Sequence, residues 1–232
     1  MSKKLSFLVA IGTGLAVAAG GTPTDEARSA TVTTTSGGAA AVSDAAQTWA
    51  TRYVVAPAGN EVRYRVNEQL AGFDLPNDAV GKSSAVSGAI AFDADGRLLP
   101  AESRFVVEAS TFVSDRDRRD NYVRSRLLQS EQFAQIALVP TELRGVSLPL
   151  AGTGSSNFEL LADLTVRGVT RPTVWRVSAR LDEGRVSGTA STRFVFDDFQ
   201  MEKPRVRSVL SVADTIALEY DFTLVREASR SE

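Results

Sequence analysis

Between Thr215 and Val225 the chain alternates without a break. Ile216, Leu218, Tyr220, Phe222 and Leu224 are apolar or aromatic, and Ala217, Glu219, Asp221 and Thr223 fill the places between them. Successive side chains on a strand point to opposite faces, so this run spells one long strand with an apolar face and a wet face. The same period returns in Glu61–Leu70 through Val62, Tyr64 and Val66, in Ser84–Phe92 through Val86, Ile90 and Phe92, and in Ser103–Phe112 through Phe105, Val107 and Ala109. It returns again in Gln135–Pro140 with Ile136 and Leu138, and in Phe158–Arg167 with Phe158, Leu160, Ala162, Leu164 and Val166. Thr173–Leu181 repeats it with Trp175, Val177, Ala179 and Leu181, and Arg185–Phe196 with Val186, Ala190, Phe194 and Phe196. A chain built of such strands must enclose something apolar, either its own side chains or a ligand.

Turn chemistry punctuates these runs. Asp93-Ala94-Asp95-Gly96, Gly168–Pro172 and Asp182-Glu183-Gly184 predict tight turns, and Leu70–Lys82, Gly145–Ser156 and Gln200–Val206 predict loops. Asp115–Phe133 has no strand period. Its Val123 and Leu127 lie four apart and fit a one-sided helix. The reading is all-β: about eight antiparallel strands joined largely by short turns, with one helical insertion, as an up-and-down barrel or a sandwich. A barrel of about eight strands is just wide enough to be filled by side chains or to hold one small ligand.

The 232 residues include no cysteine and no histidine. Disulfides, thiolate metal sites, Ser-His-Asp and Cys-His arrangements and the usual neutral-pH general base are therefore excluded. Carboxylate chemistry stays open. The net charge of −2 and the lack of a basic stripe with interleaved aromatics argue against nucleic acid.

Lys3 and Lys4 precede the apolar stretch Leu5–Ala19, which ends in the small residues Val17-Ala18-Ala19, as an export signal does. The stretch falls short of the about 18 apolar residues that a membrane span needs. The predicted organisation is a signal peptide over 1–19, an Ala/Thr/Ser/Gly-rich tether over 20–48, one folded domain over 49–226 and a tail over 227–232. An exported protein, periplasmic or at the cell surface, with no integral span in its mature form, is expected. Whether it pairs as a homodimer is open.

Five pieces in order carry a family resemblance: Tyr64–Leu70, Val86–Asp93, Arg118-Arg119-Asp120-Asn121-Tyr122, Asp163–Pro172, and Phe196-Asp197-Asp198-Phe199 followed by Pro204 and Ile216–Phe222. From about Tyr53 to Val225 the chain resembles the YceI-like family of exported proteins. The resemblance implies an extended, lipocalin-like antiparallel barrel holding a long isoprenoid-type lipid, with no cofactor unless a bound polyisoprenoid or quinone-like lipid is counted as one. Phe133-Ala134 departs from the family's aromatic-Pro pair, and Ile136–Val139 lacks its common Phe.

The inward positions are the candidate ligand wall: Val66, Phe92, Phe105, Val107, Leu138, Leu160, Leu164, Trp175, Val177, Phe194, Phe196, Ile216, Leu218, Tyr220 and Phe222. Their alternative role is a filled core. The small residues Gly88, Ala109, Ala162, Ala179, Gly188 and Ala190 share the inward register and either leave room for a ligand or fit the taper of the wall. No catalytic residue and no metal ligand is expected. Asp93–Gly96 lacks the rest of a calcium loop. Asp197 and Asp198, adjacent on a strand, would point apart. Arg116, Arg118, Arg119 and Arg124 have two readings, contact with a lipid phosphate and a self-paired, solvated face, and their alternation with Asp115, Asp117 and Asp120 favours the second. Two other readings compete with lipid binding: an enzyme acting on lipids or quinones through Asp120 or Asp198, and a filled sandwich that works by protein contact.

Overall fold

A computed structural model describes residues 49–72, 74–146, 153–207 and 209–227. The predicted signal and tether lie outside the described residues. The strands are β1 (Thr51–Val55), β2 (Glu61–Leu70), β3 (Asn77–Ser83), β4 (Val86–Phe92), β5 (Arg104–Glu108), β6 (Val113–Ser114), β7 (Gln135–Arg144), β8 (Gly154–Val166), β9 (Val169–Asp182), β10 (Arg185–Val195) and β11 (Val209–Arg226). All pairings are antiparallel, and β1 pairs with both β4 and β11, which closes the sheet into a ring.

Eleven segments make eight walls. β1 and β2 run in line along one edge of β11, with Val55 opposite Leu224 and Val62 opposite Tyr220. β4 faces β1 and β3 faces β2, and β5 and β6 in turn face β4 and β3. Each of these three walls is one bent strand. The bend between β1 and β2 is held by Asn60, a buried amide. Its Nδ2 donates to the carbonyls of Ala56 and Thr223, and its Oδ1 accepts from the Thr223 amide and the Tyr220 hydroxyl.

The sequence reading needs correction in several places, and the strand expected over Ser103–Phe112 is one of them: β5 ends at Glu108, and Ala109–Thr111 form a 3-10 turn. The loop expected over Leu70–Lys82 contains β3, because pairing with β2 overrides the turn-like Asn77, Asp78 and Gly81. Gly81 sits under the Tyr64 ring, where a Cβ would come within 2.3 Å. β8 begins at Gly154, inside a predicted loop, and β9 begins at Val169, because only Arg167 and Gly168 turn, both at positive φ. The helical insertion is shorter than its segment: α1 (Asp117–Tyr122) continues as a π turn over Val123–Leu127. Asp197 and Asp198 stand on a 3-10 turn (Phe196–Phe199) rather than a strand.

A seam lies between β9 and β10, where the ladder ends early. β9 and β10 pair only as far as Arg176 opposite Ser191. Beyond that point the Thr192 hydroxyl donates to the Val174 carbonyl at 2.8 Å. Pro172, which has no amide hydrogen, sits in this unladdered stretch of β9. An outer groove of about 640 Å³ lies along the seam.

Candidate functional site

The closed wall places the inward register in one interior, and β11 serves as a ruler through it. Its inward residues run from Leu224, Phe222 and Tyr220 through Leu218 and Ile216 to Val212 and Val209. The first group borders a narrow cavity of about 90 Å³, and the last group borders a wider one of about 590 Å³. Leu218 and Ile216 are buried and border neither cavity, as are Leu164 and Val107. These four belong to a packed layer between the two spaces.

The narrow cavity takes eight of the fifteen candidates: Phe92, Phe105, Leu138, Leu160, Trp175, Val177, Tyr220 and Phe222. Its lining is aliphatic and aromatic. Three amphipathic rings, those of Tyr53, Trp175 and Tyr220, border it, and two have their polar atoms tied up: Trp175 Nε1 donates to Thr173 Oγ1 at 2.9 Å, and the Tyr220 hydroxyl donates to Asn60. Val66 and Phe196 border the wider cavity. Phe194 packs edge-on to Phe199, with centroids 4.8 Å apart, and borders the outer groove.

The small residues divide between their two readings. Ala179 and Ala190 border the narrow cavity, where their size leaves room. Gly88 and Gly188 do not: a Cβ would lie 2.1 Å from the Arg104 carbonyl oxygen at the first and 2.0 Å from the Ser178 carbonyl oxygen at the second. There, smallness lets neighbouring walls approach. A bulge between Pro140 and Glu142 changes the parity of β7, so that Leu143 joins Leu138 inside.

The wider cavity contains what the alternation overlooked. Glu68 follows Val62, Tyr64 and Val66 in the inward register and is buried. Its Oε1 accepts from Arg119 Nη2 at 2.6 Å, and Arg119 also binds Asp115. Burial pulls the Arg119 guanidinium down, but the bonds to Glu68 and Asp115 hold it above its ordinary value. A carboxylate in an apolar register was the available signal for this pair. Val123 and Leu127 of the π turn, Leu70 and Pro204 complete the apolar side. Of the other helix arginines, Arg116 pairs with Asp115, and Arg124 donates to Phe112 and Asn121.

The candidate carboxylates have structural partners. Asp120 Oδ1 accepts from the Ser114 amide and hydroxyl, and Asp198 Oδ2 accepts from the Val195 amide. Asp93 Oδ1 accepts from the amides of Asp95 and Arg97, which makes Asp93–Gly96 a side-chain-supported turn.

Burial raises two phenols, Tyr64 to about 12 and Tyr220 higher still. A group whose folded pKa lies above its unfolded value lends stability that is complete below the unfolded pKa, near 10, and is lost as pH rises through the folded one. Alkaline titration at the phenolate absorbance should therefore show a late tyrosine component that shrinks in Tyr220→Phe. A single ordinary titration for all four tyrosines would contradict the burial of these rings.

Comparison with known proteins fits this geometry. The YceI-like domain matches residues 53–224. A polyisoprenoid binding domain from Saccharophagus degradans, implicated in plant cell wall breakdown, superposes with a TM-score of 0.56 at 14% identity, covering 77% of this chain and 98% of that one. Burkholderia cenocepacia BcnA superposes with a TM-score of 0.51 at 13% identity, covering 71% and 95%. Among curated protein sequences none matches. At such identities the two structures speak to the fold alone, and the match over residues 53–224 speaks to kinship: the chain belongs to the YceI-like family.

Proposed function

We propose that this protein binds, and stores or transports, a long apolar isoprenoid-type lipid in the barrel interior without changing it chemically. The observation that carries the reading is the narrow cavity, walled by aliphatic and aromatic side chains, with the Trp175 indole nitrogen and the Tyr220 hydroxyl already bonded to partners inside the protein. Such a space offers an apolar chain about 0.8 kcal/mol per buried methylene and offers a polar ligand little. The polyisoprenoid binding named for the Saccharophagus degradans domain supports the ligand class. The wider cavity at the helix end is the entrance on this reading, and a chain long enough to fill both spaces parts the layer of Leu218, Ile216, Leu164 and Val107.

Mass spectrometry of organic extracts, from protein purified without detergent, tests the proposal. A co-purifying isoprenoid-type lipid, or uptake of added polyprenyl lipid, is expected. Protein that carries none and takes up none would sink it. The enzymatic alternative is disfavoured because Asp120 and Asp198 are committed to backbone and hydroxyl partners. Incubation with the bound lipid should return it unchanged. A product that is lost in Asp120→Asn or Asp198→Asn would favour the enzyme.

Trp175 reports on occupancy. It is 4% exposed and borders the narrow cavity. In a Trp49→Phe background its emission should be that of a buried indole and should shift or quench on titration with polyprenyl lipid. Exposed-type emission in the lipid-free protein would contradict its place inside the barrel. Export to the periplasm or cell surface is part of the same proposal, supported by the pattern of 1–19. The intact mass of the protein recovered from the exported fraction checks it.

A further inference from the structure

The mouth of the wider cavity carries exposed groups that neither the barrel nor its interior uses. Leu75, in the loop between β2 and β3, is 76% exposed, and Leu210, at the start of β11, is 67% exposed. Val206 is also exposed, and its carbonyl accepts from the Val209 amide beside the cavity. Val209 pairs with Leu70, and Asn77 pairs with Glu68, so the two loops bearing these aliphatics emerge side by side from the rim. Isolated aliphatics at loop tips cannot bury one another within the chain.

Basic residues alternate with them. Lys203, Arg205 and Arg207 are all exposed and flank Pro204 and Val206. Arg118, on α1 at the same mouth, is exposed as well. Acidic groups stand nearby: Asp74, Asp115, Asp117 and Glu202. Asp115 is already engaged by Arg116 and Arg119, and the run from Glu202 to Arg207 has three cations against one carboxylate.

We propose that this rim docks on an anionic lipid bilayer, with Leu75, Val206 and Leu210 entering the interface and Lys203, Arg205, Arg207 and Arg118 meeting lipid phosphates. The proposal rests on the lipid-binding reading, because a bilayer is where a long apolar chain resides and the rim surrounds the opening through which it would pass. Aliphatic tips beside a polybasic run are the combination by which a protein settles at a membrane surface: the apolar groups partition and the cations are drawn to the surface potential. The rim thus aligns the wider cavity with the bilayer, so that the chain transfers without crossing water.

Co-sedimentation of the whole protein with vesicles tests this. Vesicles of equal parts phosphatidylglycerol and phosphatidylcholine should carry the protein down, and pure phosphatidylcholine should not. Raised salt should weaken the binding. Lys203→Glu/Arg205→Glu/Arg207→Glu should reduce it about ten-fold or more, and Leu75→Ser/Leu210→Ser should reduce it measurably at constant charge. Arg180→Glu/Arg185→Glu, with the same sign of charge change at the opposite end, should leave it intact. All of these positions are exposed, so an unchanged melting transition confirms that the variants are folded. Failure of the wild type to bind anionic vesicles would overturn the proposal, as would binding that ignores the rim changes or falls equally with the opposite-end pair. Capture of a protein partner at the rim with no vesicle binding would also overturn it. Lipid extraction reports separately: a lipid-laden protein that ignores vesicles removes the docking surface and leaves the binding reading standing.

Discussion

Gly188→Ala is expected to destabilise the barrel by about 3 kcal/mol or more, as overpacking against unyielding neighbours does. The added Cβ would lie 2.0 Å from the Ser178 carbonyl oxygen, 2.9 Å from Ala179 Cα and 3.0 Å from Phe222 Cζ. The first two are backbone atoms of β9, to which β10 is hydrogen-bonded at this position. Relief therefore requires the two walls to separate, and a side-chain rotation does not suffice. Urea unfolding measures the loss, with Ser187→Ala, one residue away on the opposite face, as a control expected to lie near the wild type. A Gly188→Ala protein within about 1 kcal/mol of the wild type would mean that the walls are farther apart than described.

Asn60→Ala is expected to cost about 2–4 kcal/mol. Inside a buried bend the amide donates to the Ala56 and Thr223 carbonyls, with a longer contact to Ala58, and accepts two bonds, so truncation strands the Tyr220 hydroxyl, the Thr223 amide and the Ala56 carbonyl together, while the Thr223 carbonyl keeps the Ala56 amide. Tyr220→Phe removes only one of these partners and should cost about 1 kcal/mol. The double variant should cost less than the sum, because once Asn60 is gone the phenol has nothing left to lose. Strict additivity would show that the Tyr220 hydroxyl is satisfied elsewhere.

Which parts of this molecule can be read from sequence follows from how each is encoded. Strand alternation is a local signal, and it placed Trp175, Val177, Tyr220 and Phe222 inside because each strand must turn its apolar set inward or expose all of it. β3 is not local in this sense. Asn77, Asp78 and Gly81 look like turn residues, and only the β2 edge beside them makes them a strand. The partition of the interior is harder still to read. Leu218 and Tyr220 are both large, inward and two residues apart, yet one packs a solid layer and the other walls a cavity. That difference depends on what faces them from β2, β5 and β8, which no single-strand pattern records. Gly88 and Gly188 teach a related lesson: a small residue in an inward register reports either space or the approach of another backbone, and only the wall opposite decides which.

The seam between β9 and β10 has a kinetic consequence. A closed ring of hydrogen-bonded strands offers fewer edges from which to fray than an open sheet does. Opening is easiest where a ladder ends early, and beyond Arg176 and Ser191 the β9–β10 ladder gives way to side-chain bonds from Thr192 to the Val174 carbonyl and from Arg171 to the Asp198 carbonyl. Amide protons of β9 from Val169 to Val174 that face this gap should therefore exchange with solvent by local opening, well before those of β8 and β11, which wait for global unfolding. Under sub-denaturing urea the seam should behave as a hinge line of the barrel, a place where the cylinder becomes a sheet.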